Sequence, residues 1–576
     1  MVDYGSTAAR AIDMGPAILA ALDAALATEG PVTILFPGGE LPIGSDSINA
    51  GVFLSVRDRA ELILEGDQTL LLLKDSPRAT ALKIDSCRDI TIRGLAFDYD
   101  PLPFTQGRVR AIDAAAGTFD FVIDPGFPTL SDSEMFAVGS TVGYVYGEDG
   151  RFKKTADKLW QADFRDWKKH DPGVYRVTVN PRKIGQTIGV SDRIALKDRG
   201  GVAINIRNSE DVLLENVRVF AAGGIGIAGH KTDGLHFRQV AIIPRPGTER
   251  LLSVNNAAIR VDSARRGPKI ENSIFMNTGD DTLVLAGYPA QIVDVISDTK
   301  LIVAHRNFRL SEGDAVEVWG SDRGIIRGIA KVKGVKQKGN RFAITLETPI
   351  EGMTNGNDGR PADRVSNRAT MMQGSIIRNN IGRNLPRMFV GIFGADDVLI
   401  ERNRIDWLQG AAISMRGSRF GAVGVARNIT IRNNRFESAY TPYSDTFGAF
   451  AIYGVLPSGR GDTGAESRAH ENIHILGNEF FDSGRGAIWI ANATGVNITD
   501  NRVVALATTP DYDGTARAIW LQNSDHVRIE DFELTDPRPN MEAGIYIESD
   551  VGAVNLDNLN FSLNHRSNRK EVVDLR

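Results

Sequence analysis

Apolar and polar residues alternate in short stretches along almost the whole chain, and the same phrase returns again and again. In one copy, Ile429, Ile431 and Phe436 alternate with polar residues on either side of the pair Asn433 and Asn434. Alternation at period two is typical of a strand with one buried face, and Asn or Gly after such a strand favours a tight turn. Each copy therefore predicts a strand, a turn and a second strand.

The copies are separated by a nearly constant step. The central apolar residues are 23 positions apart in three pairs and 31 apart in two others, in this order: Leu214 and Phe237, Ile377 and Ile400, Ile475 and Ile498, then Ile400 and Ile431, Ile498 and Ile529. A repeat in the low twenties is typical of a solenoid, and the longer steps are expected where a turn is extended. We predict an all-β, right-handed parallel β-helix whose rungs stack about 4.8 Å apart. The Asn residues are expected to form a ladder that caps the turns.

The amino end predicts a capping helix. Asp13 can cap it, Pro16 lies in its first turn, and Ile18, Leu22 and their neighbours form one apolar stripe before Gly30. A strand over 32–36 follows. Such a helix can cover the open end of the solenoid, where backbone groups and apolar core would otherwise be exposed.

Two long stretches interrupt the repeat, residues 98–197 and 287–367. Both contain alternating strands and hairpin turns, and structureless loops of this length are uncommon inside a compact fold. We predict two β-barrel-like insertions that wall a groove on one flank of the solenoid. The predicted division is an amino-terminal cap with the first rungs, the first insertion, solenoid, the second insertion and solenoid again: 1–97, 98–197, 198–286, 287–367 and 368–576.

Composition excludes several classes of protein. The 67 basic and 72 acidic residues are mixed along the chain and leave a net charge of −5, so no basic stripe predicts a nucleic-acid partner. Cys87 is the single cysteine, which excludes an internal disulfide framework. No apolar run approaches the roughly 20 residues of a membrane span, and we expect no membrane partner.

The most promising chemistry lies just before the second insertion. Asp280 and Asp281 follow Gly279 at the turn into a strand. When two carboxyl groups are close, one is pushed towards protonation and can act as an acid while the other stays ionised as a base or nucleophile, which is what cleavage of a glycosidic bond requires. The alternative is a solvated turn, and that is the reading for a second pair, Asp396 and Asp397.

Stacking of the rungs adds further candidates. If Ile270 and Ile377 begin equivalent strands, Asp280 lies beneath Arg387, which could lower the pKa of the acid, hold a substrate hydroxyl or form a structural pair. Other candidates for substrate contact lie at strand ends or carry an aromatic ring: Arg260, His230, Arg416, Asn256 and Trp319. For Trp319, as for Trp407 and Trp489, the alternative is core packing.

Four phrases, at 97–107, 245–253, 266–272 and 279–281, resemble glycoside hydrolase family 110, the exo-acting α-1,3-galactosidases, and the order of elements is similar from about residue 30 to 510. The resemblance implies a β-helix with two barrel insertions, inverting hydrolysis of terminal α-galactosides, no metal or other cofactor, and an acidic triad that includes the Asp280–Asp281 pair.

The chain departs from the family pattern where the sugar would be held. The third acid of the family is expected one 23-residue step before Asp280, and Ala257 stands there. The phrase 282–287 lacks the histidine of the family, and 416–421 lacks its aromatic and acidic residues. These differences weaken the inference of substrate more than that of fold.

Our leading hypothesis is a glycoside hydrolase that removes terminal or branch α-linked sugars from a polysaccharide, with Asp280 and Asp281 as acid and base and Arg387 as a substrate contact. The alternatives are a polysaccharide lyase acting on a uronate and a non-catalytic glycan-binding solenoid. The chain shows no leader sequence, and we expect a periplasmic or secreted protein whose leader has been removed. Its partner is a carbohydrate, and the choice between monomer and dimer stays open.

Overall fold

A computed structural model describes residues 13–131, 135–153, 159–185, 187–197, 200–416, 424–439, 450–455, 466–505, 516–539, 541–563 and 570–576. Within these residues the chain winds into a parallel β-helix, as predicted, and each full turn contributes three strands to three faces. Ile259–Asp262, Lys269–Glu271 and Ile274–Met276 form one such turn. None of the described helices is long and apolar enough to cross a membrane.

The first two faces belong to one sheet because four of its strands continue round the corner between them. The strands of the first face, including those four, are Val32–Phe36, Ala60–Lys74, Arg88–Asp100, Glu210–Glu215, His236–Arg238, Lys269–Glu271, Ser375–Arg378, Ala395–Glu401, Ala426–Arg432, His470–Leu476, Ala493–Thr499, Asp525–Asp536 and Val554–Leu563. The remaining strands form the second face: Gly39–Ile43, Arg218–Val219, Ala241–Ile242, Ile274–Met276, Ile381–Leu385, Arg404–Leu408, Arg435–Ala439, Glu479–Phe481 and Arg502–Val504.

The third face is a separate parallel sheet and carries the candidate site. Its strands are Val52–Arg57, Thr80–Asp85, Ile204–Arg207, Ile227–His230, Ile259–Asp262, Leu283–Ala286, Val390–Phe393, Ile413–Arg416, Phe450–Val455, Gly486–Ala491, Ala516–Gln522, Met541–Ile547 and Lys570–Asp574. Short 3₁₀ turns occur at Ser45–Ser47, Gln161–Asp163, Pro181–Lys183 and Arg368–Thr370.

The predicted stacking of the rungs is confirmed. Leu214 pairs with Phe237, and the equivalent pairs Ile377 with Ile400, Ile400 with Ile431, Ile475 with Ile498 and Ile498 with Ile529 are all in register. The residues of these pairs point inward and are fully buried. Because the side-chain period of a strand is two, this register sends the central apolar residue of each of these repeats to the core.

The predicted asparagine ladder is also present. Five buried Asn side chains stack along the solenoid: Asn380, Asn403, Asn434, Asn478 and Asn501. The side-chain N–H of each, except the last, donates a hydrogen bond to the side-chain oxygen of the next. The residue before each of these has a left-handed or glycine-type backbone, for example a φ of 54° at Asn433. The Asn residues therefore hold turns and take no part in a groove.

The amino-terminal helix Gly15–Ala27 covers the first rungs, with Ile18 and Leu22 in the core. Asp13 directly precedes Met14, the N-cap residue of the helix. Its carboxylate accepts hydrogen bonds from the backbone N–H groups of Gly15 and Gly44. The cap thereby fastens the helix to the start of the solenoid.

Both interruptions fold as small β units with cores of their own. The first is a six-stranded antiparallel sheet made of Phe104–Asp113, Thr118–Ile123, Val142–Tyr146, Phe164–Asp171, Val174–Val179 and Arg193–Lys197. The second is a closed barrel made of Ala290–Ser297, Lys300–Ala304, Ala315–Gly320, Ile325–Lys338, Arg341–Leu346 and Arg364–Asn367.

Candidate active site

The acidic pair lies in the turn between strand Ile274–Met276 and strand Leu283–Ala286 of the third face. Gly279 precedes the pair because its backbone passes very close to another rung: a Cβ there would lie 2.6 Å from the backbone of Asn255. The hydroxyl of Tyr144, from the first insertion, donates to the carbonyl oxygen of Gly279. The first insertion therefore fixes the turn that presents the two acids.

Arg387 joins the two acids. Its Nε lies 3.3 Å from Oδ1 of Asp280 and 3.1 Å from Oδ1 of Asp281, and all three side chains are partly exposed, Asp280 by 31% and Asp281 by 17%. Leu283 pairs with Val390, which places Arg387 level with Asp280, as the stacking argument predicts. The guanidinium favours the ionised form of both carboxyl groups.

The same contacts limit the distance between the acids. Both Oδ1 atoms approach one nitrogen, so they are at most about 6.4 Å apart, the sum of the two distances. Inverting glycosidases hold their carboxyl groups about 6.5–9.5 Å apart and retaining ones about 5–5.5 Å apart. These two oxygens therefore fall short of the inverting range in the observed arrangement.

Ala257 lies one position away from where the 23-residue step puts it. Ile259 pairs with Leu283, a step of 24, so Ala257 is level with Asp281 and Asn256 is level with Asp280. The prediction that Ala257 stacks on Asp280 is therefore wrong by one residue, because the turn between these strands is longer by one. Ala257 still lies on the rung beside the pair.

An apolar surface surrounds Ala257. It packs with Val284, Ala286, Met388 and Phe393, against the half-buried Ile225 and Tyr288. Val284 is level with Arg260 on the outer side of the third face. Asn256 is a turn residue whose side-chain oxygen accepts the N–H of Ala257.

The two insertions contact opposite edges of the third face. At the edge where strands begin, Asn384 and Gln409 of the solenoid bond to the backbone of Phe152 and Lys153 in the first insertion. At the edge where strands end, Asn307 of the second insertion approaches Asp262. The outer side of the third face between them is where the groove is predicted to lie, with the acidic pair at the first edge. A cavity of about 330 Å³ is lined by Asn208 and Lys231 of the solenoid and by Phe308 and Arg309 of the barrel.

His230 and Asp262 form a close pair at the second edge. Nδ1 of His230 is 2.6 Å from Oδ2 of Asp262, whose side chain is 0% exposed. An ionised carboxylate at Nδ1 holds the proton on that nitrogen and leaves Nε2 of a neutral ring as an acceptor. Five residues at about 3.3 Å each separate the level of Asp281 from that of Asp262, so this pair lies roughly 16 Å from the acids.

The remaining predicted residues differ in their outcome. Arg260 lies in the groove with its guanidinium carbon 5.4 Å from the ring centre of Tyr288. Arg416 ends the strand Ile413–Arg416, two rungs beyond Leu283–Ala286. Trp319 is wrong as a sugar-stacking candidate, since it is 2% exposed and packs against Val425 and Ala469.

The other two tryptophans are also held by the protein. Trp407 donates its indole N–H to the carbonyl oxygen of Phe152, and Trp489 stacks on Trp520 with ring centres 4.5 Å apart. Sequence reasoning missed Tyr288 and His305, which the second insertion brings to the groove and whose rings stack 5.1 Å apart. Neither belongs to the repeat, so no periodic signal could place them.

Comparison with known proteins agrees with this architecture. The family described as "Right handed beta helix region" matches residues 365–561. Alpha-1,3-galactosidase A of Bacteroides thetaiotaomicron is 23% identical over 82% of this chain and 82% of its own, and alpha-1,3-galactosidase B of the same organism is 22% identical over 90% and 88%. The family 28 exopolygalacturonase of Yersinia enterocolitica superposes with a TM-score of 0.37 and 12% identity, covering 100% of this chain and 78% of its own. The family match confirms the right-handed β-helix, and the two galactosidases confirm the resemblance drawn from the sequence.

Proposed function

Because the chain is related to α-1,3-galactosidases, we propose that it is a glycoside hydrolase that cleaves terminal or branch α-linked sugars of the α-galactoside type from a glycan or polysaccharide. The observation that carries the proposal is the pair Asp280 and Asp281, partly exposed at the edge of a groove and joined by Arg387. A glycan substrate suits the periplasmic or secreted location expected from the sequence.

The proposed chemistry divides the two acids between two roles. One carboxyl protonates the departing glycosidic oxygen while the other, ionised, activates a water that attacks the anomeric carbon with inversion. Because Arg387 draws the Oδ1 atoms within about 6.4 Å, inversion requires the outer oxygens or a shift of Arg387 from the acids to a substrate hydroxyl. In the free protein, Arg387 thus keeps the two carboxyl groups too close for inversion, and with substrate bound its guanidinium can donate a hydrogen bond to the sugar.

The test replaces Asp280 and Asp281 separately by Asn, which keeps the shape and removes proton transfer. Turnover of an α-linked galactoside should fall by roughly 10²–10⁴, and the anomer first released by the unaltered protein, followed by proton NMR, should be the inverted one. Asp397→Asn is a matched control, since Asp397 is an exposed member of the other Asp–Asp pair, on the first face. Full activity in both groove variants would move the chemistry elsewhere.

Ala257 favours a second candidate, a non-catalytic glycan-binding solenoid. An apolar cluster stands where the family resemblance implies the third acid. Measurements of turnover and of binding distinguish the two candidates. An α-galactoside that binds in the groove but releases no reducing sugar over a long incubation would favour the binding protein. Release of reducing sugar by the unaltered protein that disappears in the Asp281→Asn variant would favour the hydrolase.

A further inference from the structure

The end of the groove away from the acidic pair carries cations that lack acidic partners. Arg260, Lys231 and Arg364 are half-buried, and none of them forms an ion pair with a carboxylate in the part of the chain that the structure describes. Half-buried cations are costly unless something negative faces them. Their shared position therefore needs an explanation.

The ring of Tyr288 contacts one of these three cations, Arg260, and also the ring of His305. Its ring stacks on His305 with centres 5.1 Å apart at 30°, and the guanidinium of Arg260 lies 5.4 Å from the same ring. Because Tyr288 also borders the apolar surface around Ala257, the basic end is continuous with the floor that leads to the acids. Cation–π contacts position a guanidinium without neutralising its charge.

The strand pairing places the other two cations nearby. Lys231 follows His230 directly, and its backbone N–H donates to the carbonyl oxygen of Asp262. Arg364 pairs with Gln291 in the barrel strand that begins two residues after Tyr288. The strands Ile227–His230 and Ala290–Ser297 thus place Lys231 and Arg364 at the same end of the groove as Tyr288.

Asp262, the acid at this end, is already engaged. His230 holds its Oδ2 at 2.6 Å and Asn307 approaches the same atom at 3.5 Å. Its Oδ1 is buried and has no hydrogen-bond partner in the described part of the chain. The side chain of Asp262 is 0% exposed and forms no ion pair with Arg260, Lys231 or Arg364 among the described residues, so these cations remain available to a bound anion.

Repulsion between neighbouring cations contributes to the pKa shifts of His305 and Lys231, and Asp262 opposes it at both residues. Burial lowers the pKa of His305 most, and Arg306, Arg364 and Lys231 lower it further by repulsion, against the opposing effect of Asp262. Burial also lowers the pKa of Lys231, Asp262 opposes this effect, and Arg207 and Arg309 add repulsion. An anion at this position would relieve that repulsion.

We propose that this end of the groove binds a carboxylate or sulfate group carried by a sugar, so that the glycan recognised is acidic. Arg260 and Arg364 contact the anion and Lys231 supports them. The assignment of a hydrolytic substrate rests on the proposed function, whereas binding of the acidic sugar does not. Because Arg260 is level with Val284, three residues or about 10 Å beyond the level of Asp281, and Lys231 lies further along, the acidic sugar is a different unit from the one cleaved.

The test compares binding of galactose, galacturonate and galactose 6-sulfate by titration with NMR detection. An acidic sugar should bind at least about 10-fold more tightly than galactose, the worth of one charge-assisted hydrogen bond, and Arg260→Gln and Arg364→Gln should each remove most of that preference. Arg502→Gln removes one equally positive, exposed charge on the second face and should change nothing. Preference for galacturonate alone, or for the sulfate ester alone, identifies which anion the site takes.

Equal binding of all three sugars, or a preference that survives in both arginine variants, would overturn the proposal. If Arg260→Gln does not fold, as judged by circular dichroism, Lys231→Gln serves as the second variant. Acidic sugars that bind as expected without any turnover would leave this proposal standing and refute the hydrolase. Turnover of neutral galactosides with no preference for acidic ones would do the reverse.

Discussion

Replacing Asn434 by Ala should destabilise the centre of the solenoid strongly. The side-chain amide of Asn434 donates to the carbonyl oxygen of Ile400 and to Oδ1 of Asn478. Its side-chain oxygen accepts both the backbone N–H and the side-chain amide of Asn403. All four bonds are 2.9–3.0 Å long and buried.

The magnitude follows from the groups left behind. Alanine leaves the carbonyl oxygen of Ile400 and the N–H of Asn403 buried without these partners. Each such group costs about 1–3 kcal/mol, so we expect a loss of about 2–6 kcal/mol. The amide of Asn403 keeps its bond to the carbonyl oxygen of Ile377 and adds little to the loss.

The measurement needs a local and a global readout, because a long solenoid need not unfold in one step. Urea unfolding followed by circular dichroism gives the global loss, and hydrogen exchange of the strands Ala395–Glu401 and Ala426–Arg432 shows whether the rungs beside Asn434 open first. Asn555→Ala is the control: Asn555 is exposed in strand Val554–Leu563, and its loss should cost no more than about 0.5 kcal/mol. A loss below about 1 kcal/mol at Asn434 would refute the role given to the ladder.

Three further predictions concern the groove and its surroundings. Ala257→Asp should raise hydrolysis of α-galactosides by at least about 10²-fold in a reducing-sugar assay if the absent third acid limits this chain, and no gain alongside measurable starting activity would show that it works without that acid. Arg387→Gln should shift the acidic limb of the pH–rate profile upwards, because a cation that favours the ionised acids is lost, and an unmoved limb would place Arg387 outside the titrating unit. Burial lowers the pKa of His470 to about 3, so between about pH 6.5 and 3 the unfolded chain binds more protons than the folded chain, and the free energy of unfolding decreases as the pH is lowered, by up to about 1.4 kcal/mol per pH unit. In urea unfolding, His470→Asn should therefore lose less stability than the unaltered protein when the pH is lowered from 6 to 5, and equal losses in the two proteins would contradict this.

The fold was accessible from sequence because the solenoid repeats one local rule. Inward apolar residues at every second position and turn residues such as Asn after many strands fix both the strand and its register, which is why Leu214 and Phe237 pair as the step of 23 requires. The rule concerns neighbours only, so it holds wherever the turn length is constant. It fails by one residue at Ala257, where the turn is longer and the strands still pair.

The candidate site was accessible only in part. Asp280, Asp281 and Arg387 lie on rungs of the repeat, and counting along the chain was enough to bring them together. Tyr288 and His305 come from the barrel, whose antiparallel pairing follows no repeat shared with the solenoid. Their stacking depends on how the barrel packs against the third face, and no local pattern of apolar and polar residues predicts that packing.

The solenoid and the two insertions contribute differently to the choice of glycan. The solenoid supplies the two acids, Arg387 and the outer side of the third face. The insertions supply the remaining contacts: Tyr144 fixes the turn of the acids at one edge, while Tyr288 and His305 shape the other. Exchange of the barrel, which carries Tyr288, His305 and Arg364, should therefore change which glycan binds while leaving the acidic pair in place.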